Sequence, residues 1–96
     1  YINGGFPNGG GEQSIGTHRY DPATAQWQPV PGVPGNLAAG AATLHGMAWI
    51  GHLDGTLQQY DPGSAQVRRL PAGDFNERDH SQTVAFLDEI WVIAGR

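Results

Sequence analysis

Seven consecutive residues, Asp74-Phe75-Asn76-Glu77-Arg78-Asp79-His80, gather an aromatic ring, an amide, three carboxylates, a guanidinium and an imidazole. Arg78 is the foremost candidate among them. Its planar fork of donors matches a carboxylate bidentately, which suits capture of an acidic side chain or a sugar acid. The competing reading pairs Arg78 with Glu77 or Asp79 inside the segment, where it would only fix the local chain. Phe75 could stack on a ligand or plug a groove between neighbouring structural units. A second loop, at positions 6–13, adds Phe6 and Asn8. The candidate binding set is therefore Phe6, Asn8, Phe75, Asn76, Glu77, Arg78, Asp79 and His80.

Other chemistries find less support. His18, His45, His52 and His80 are scattered, with no pair at a metal-ligand spacing. Without cysteine there is neither a disulfide nor a thiolate metal site. Asp88-Glu89 falls in an expected hairpin turn, where acidic residues are common and hydrated. Gly9-Gly10-Gly11 is followed by no helix, and the chain has no Lys to reach a phosphate. No serine lies in a nucleophile motif. A net charge of −4 argues against a nucleic-acid partner, and no apolar run is long enough to span a membrane as a helix. No cofactor and no catalytic residue is expected.

These residues must be held by short strands. Tyr20-Asp21-Pro22-Ala23-Thr24-Ala25-Gln26-Trp27 returns 40 positions later as Tyr60-Asp61-Pro62-Gly63-Ser64-Ala65-Gln66-Val67. Strand-like runs ending in small residues begin at Tyr1, Ala48 and Trp91, at offsets of 47 and 43. Strands are predicted at positions 1–3, 14–20, 25–29, 37–44, 47–51, 56–60, 65–70, 80–86 and 90–94, with no apolar stripe of helical period. Asp-Pro makes each repeated turn: Asp accepts a backbone N–H two residues on, and Pro presets φ. Tyr20, Trp27, Trp49 and Tyr60 are expected to pack between units. A strand-built period of about 40–50 residues is the signature of a β-propeller blade.

The chain resembles the kelch repeat. That family's blade runs as a strand ending in Gly-Gly, a variable loop, Tyr-Asp-Pro, a short turn and Trp, then Pro and often Arg. The first unit carries Gly4-Gly5, Tyr20-Asp21-Pro22, Trp27 and Pro31; the second carries Gly51, Tyr60-Asp61-Pro62, Pro71 and Arg78. His52 stands for the second Gly, Val67 for the second Trp and Ala94 for a Gly, and Gly35 occupies the first unit's Arg position. The resemblance implies an all-β propeller of four-stranded antiparallel blades, of which this chain supplies about two. Strands 2–4 of one blade would lie at 1–31, a full blade at 37–71, and strands 1–2 of the next at 80–95.

Because a propeller needs about four to eight blades, the remaining ones must come from a longer parent chain or from other copies. The parent chain is the preferred reading, since in a ring of copies the runs 1–3 and 91–93 would claim one ladder slot. Alternating strand direction sends the loops 6–13, 31–36 and 71–79 out on one side, the expected functional face. The expected role is non-catalytic binding of a protein or glycan there. The alternative is scaffold for a kelch-like carbohydrate oxidase or sialic-acid mutarotase whose active residues lie mostly outside this chain, because fold alone does not choose a function.

Overall fold

The computed structural model describes residues 1–4, 16–35, 40–71, 73 and 80–95. Among them there are nine strands and no helix: β1 (Ile2–Asn3), β2 (Thr17–Asp21), β3 (Gln26–Pro29), β4 (Ala41–Leu44), β5 (Met47–Gly51), β6 (Leu57–Asp61), β7 (Gln66–Leu70), β8 (Gln82–Phe86) and β9 (Glu89–Ile93). They form three antiparallel sheets, β1-β2-β3, β4-β5-β6-β7 and β8-β9. The chain is all-β, as its turn-punctuated pattern predicts. It divides into two compact units, Tyr1–Leu37 and Ala38–Arg96.

The two Asp-Pro turns have one geometry. Asp21 Oδ1 accepts from Ala23 N at 2.9 Å, and Asp61 Oδ1 accepts from Gly63 N at 2.9 Å. Ala25 and Ala65 both take left-handed backbone, with φ of 56° and 58°. They therefore close the turns instead of opening the returning strands, and Asp21↔Gln26 and Asp61↔Gln66 form the first ladder pairs. The expected starts at 25 and 65 each move one residue on. The hairpins β4–β5 and β8–β9 close through residues 45–46 and 87–88, all at positive φ, which matches the right-handed twist of the strands they join.

Ladder register corrects the repeat offsets. Ile2↔His18 matches Ile50↔Gln58, and the bond from Gly4 N to Gly16 O at 2.8 Å matches that from His52 N to Thr56 O at 2.9 Å. Tyr1 thus corresponds to Trp49, an offset of 48 and not 47. Ala42↔Trp49 likewise matches Val84↔Trp91, an offset of 42 and not 43. An aromatic residue takes this matching position each time, as Tyr1 just before β1, Trp49 within β5 and Trp91 within β9.

In the first unit, Val30 and Val33 are buried beside Thr17. Asn3 Nδ2 donates to Thr17 Oγ1 and to the Pro34 carbonyl, the latter at 3.0 Å. In the second unit, alternation puts Ile50, Gln58 and Tyr60 on one face of the four-stranded sheet, where all three are buried. The opposite face carries Trp49, Gly51 and, opposite Gly51, Gly40, whose carbonyl accepts from Gly51 N at 3.0 Å. β8 lies against this glycine face. A Cβ on Gly40 would stand 2.4 Å from Thr83 N, and one on Gly51 would stand 2.8 Å from Thr83 Oγ1. Two glycines are what let the sheets approach so closely.

The aromatic residues depart from expectation. Tyr60 is buried and Trp49 is half-buried, its indole Nε1 donating to Leu44 O at 3.3 Å. Tyr20 and Trp27, however, are 44% and 53% exposed, and their rings meet on the surface with centroids 5.1 Å apart and planes tilted by 48°. The same tyrosine of the repeat is thus covered in one sheet and open in the other.

Candidate functional site

Of the sequence-selected set, Phe6, Asn8, Phe75, Asn76, Glu77, Arg78 and Asp79 lie outside the described residues. His80 lies within them. It is exposed with φ of 63° and leads directly into buried Ser81, one residue before β8. A backbone that turns so sharply sends the chain from the connector straight into the sheet.

The strand ends that carry these loops are described. In the first unit the bond from Asn3 to the Pro34 carbonyl puts the β1–β2 loop ends and the connector after β3 on one edge. In the second unit the bond between Gly51 and Gly40 puts the β5–β6 loop and the approach to β4 on one edge. The two loops differ greatly in length. Gly4 to Gly16 spans twelve positions, where the matching His52 to Thr56 spans four. The eight extra positions include Phe6, Asn8 and the triple glycine.

The short β5–β6 loop carries a polar network that sequence reading missed. Thr56 donates to Asp54 Oδ1 from both its backbone N, at 3.0 Å, and its Oγ1, at 2.6 Å. Arg69 reaches over from β7, donating from Nε to Thr56 Oγ1 and from Nη2 to Asp54 Oδ2, each at 3.0 Å. The Thr56 hydroxyl, its backbone N–H and then the Arg69 charge hold the Asp54 carboxyl below the usual range. The Asp-x-Thr spacing, which permits this local turn, was the available signal. Arg69 became legible only when β7 paired with β6. Because its fork is already occupied by Asp54 and Thr56, the network locks the loop and offers no open acid-binding guanidinium.

Behind it, His52 Nε2 lies 3.2 Å from Gln58 Oε1. Burial, reinforced by the nearby Arg69 charge, lowers the His52 pKa below 6.5. The unfolded chain therefore takes up this proton first, and the His52 contribution to stability is lost as pH falls from about 6.5 through the folded value. Urea midpoints measured from about pH 7 to pH 5 should drop more in the parent chain than in His52→Asn. Equal slopes would show that His52 is not the group responsible.

A further pair joins two hairpin turns. His45 Nε2 lies 2.7 Å from Asp88 Oδ1, linking the β4–β5 turn to the β8–β9 turn, with both side chains exposed. Exposed pairs of this sort contribute at most about 1 kcal/mol. The two are 43 positions apart, so only the stacking of the hairpins brings them together. Among the described residues no group of three His, Asp or Glu side chains is placed to hold a metal ion. No family model matches the chain, and no curated protein is significantly similar to it.

Proposed function

We propose that this chain is a non-catalytic segment of a kelch-type β-propeller, and that the loop edge of each unit binds a protein or glycan, through the β1–β2 loop in the first unit and the approaches to β4 and β8 in the second. The duplicated hairpin carries the reading. Two Asp-Pro turns share one side-chain hydrogen bond and one left-handed alanine, each on the last two strands of its sheet. The glycine-mediated stacking of β8 on the β4–β7 sheet supports it, because blades bury one another's faces in this way. The binding edge rests on loop variation over a repeated frame: strand pairs in matching register carry loops that differ by eight residues.

Arg78 is the residue assigned to recognition on its donor chemistry, whereas Arg69 is already paired with Asp54. An array of sialylated and uronic-acid oligosaccharides, printed beside acidic peptides, tests this. The parent chain should bind at least one class, and Arg78→Ala should weaken that binding by at least about tenfold while far-UV circular dichroism stays unchanged. Equal binding by the two chains would refute the assignment. Loss of the β signal in Arg78→Ala or Phe75→Ala would assign the connector to architecture instead.

A further inference from the structure

Asp54-Gly55 is the sole Asp-Gly step in the sequence, and such a step is open to succinimide chemistry. Glycine leaves its own amide nitrogen unshielded, because no Cβ stands beside it. In the reaction the Gly55 nitrogen gives up its proton and bonds to Asp54 Cγ while the Cγ–OH bond breaks, and one water leaves. Water then reopens the ring. Entry at Cγ restores aspartate; entry at the Asp54 backbone carbonyl leaves the chain running through Cγ, as isoaspartate. The reaction needs no oxidant, cofactor or second protein.

The β5–β6 loop restrains each reacting group. The Gly55 N–H is donated to the His52 carbonyl at 3.0 Å, and Gly55 is buried with φ of 82°. Asp54 Oδ1 accepts twice from Thr56, and Oδ2 accepts from Arg69 Nη2 at 3.0 Å. The nitrogen that attacks must give up a proton, and the oxygen that leaves must take one up. Here both positions are already committed to neighbours. The same bonds favour the ionised carboxyl, which has no hydroxyl to lose. Water nevertheless reaches this side chain, which is 53% exposed, so bonding and not burial is the restraint on the carboxyl.

We propose that Asp54 is a covalent modification site of this chain, converting to isoaspartate at a rate set by the clamp that Thr56 and Arg69 close on its carboxyl. The product cannot rebuild that clamp. Its backbone is one carbon longer between His52 and Thr56, whose bond of 2.9 Å closes the loop, and its carboxylate sits on Cα. Arg69 then loses its partner, so the modification turns a paired guanidinium into an open one at the loop edge of the second unit.

This inference rests on the loop geometry, and on neither the blade reading nor any ligand. The parent chain, folded and in guanidinium chloride, is aged side by side at one mildly acidic pH. Trypsin releases the peptide spanning 20–68, and electron-transfer fragmentation reads the isoaspartyl bond at position 54. Isoaspartate should accumulate at least about tenfold more slowly in the folded chain, the order by which one charge-assisted hydrogen bond changes a rate. Arg69→Ala, with its β signal in circular dichroism retained, should close most of that gap. Equal rates in the folded and unfolded parent chain would overturn the proposal, and that comparison needs no variant to fold. An Arg69→Ala chain that keeps its fold and ages at the parent rate would overturn it too.

Discussion

Gly40→Ala is expected to destabilise the second unit by about 3 kcal/mol, the upper part of the range for overpacking a close contact. The added methyl would sit 2.4 Å from Thr83 N and 3.1 Å from both the Cα and the carbonyl carbon of Gln82. These are backbone atoms, so no side chain can rotate aside. β8 would have to lift from the glycine face, and the buried Thr83 would move with it. Urea denaturation followed by circular dichroism measures the effect. Gly46→Ala is the control for space alone: its site has nothing within 4 Å, although its φ of 73° carries a conformational cost. If Gly40→Ala unfolds at the parent midpoint, the close stacking of β8 on β4 is wrong.

Thr83→Val is expected to act in the opposite direction, raising stability by about 1–2 kcal/mol. Thr83 is 4% exposed, and its Oγ1 has no hydrogen-bond partner. A buried hydroxyl left unpaired keeps the desolvation cost without the compensating bond. Valine keeps the shape and the strand preference while removing the polar atom. Thr83→Ser separates the two contributions, because it keeps the hydroxyl and loses the methyl; it should destabilise. If Val and Ser both destabilise, the hydroxyl is bonded and the packing at Gly51 is arranged differently.

The legible parts of this protein were the local ones. Asp-Pro turn chemistry acts within a few residues, so the pair of repeated hairpins could be read from letters alone, and the all-β class followed from the strand runs between turns. Registers were less accessible. The offsets of 47 and 43 came from aligning terminal small residues, whereas the ladders set 48 and 42 because backbone bonds, not letter identity, choose the partner. A one-residue error of this kind exchanges the two faces of a strand. It hid the match of Tyr1, Trp49 and Trp91.

Candidate site residues were legible as chemistry and not as geometry. Arg78 and its neighbours were selected for donor type and loop position, which a sequence supplies. The Asp54, Thr56 and Arg69 network was missed because it depends on β7 returning beside β6.

By itself the sequence determined where the chain turns, which stretches extend and that the hairpin is used twice, since each is decided by the torsional preferences and short-range hydrogen bonds of neighbouring residues. Tertiary structure alone decided that Gly40 and Gly51 are contact points, that Tyr60 is buried while Tyr20 is open, and that His45 meets Asp88. Those outcomes depend on which surface arrives from a distant part of the chain, and identical letters carry no record of it.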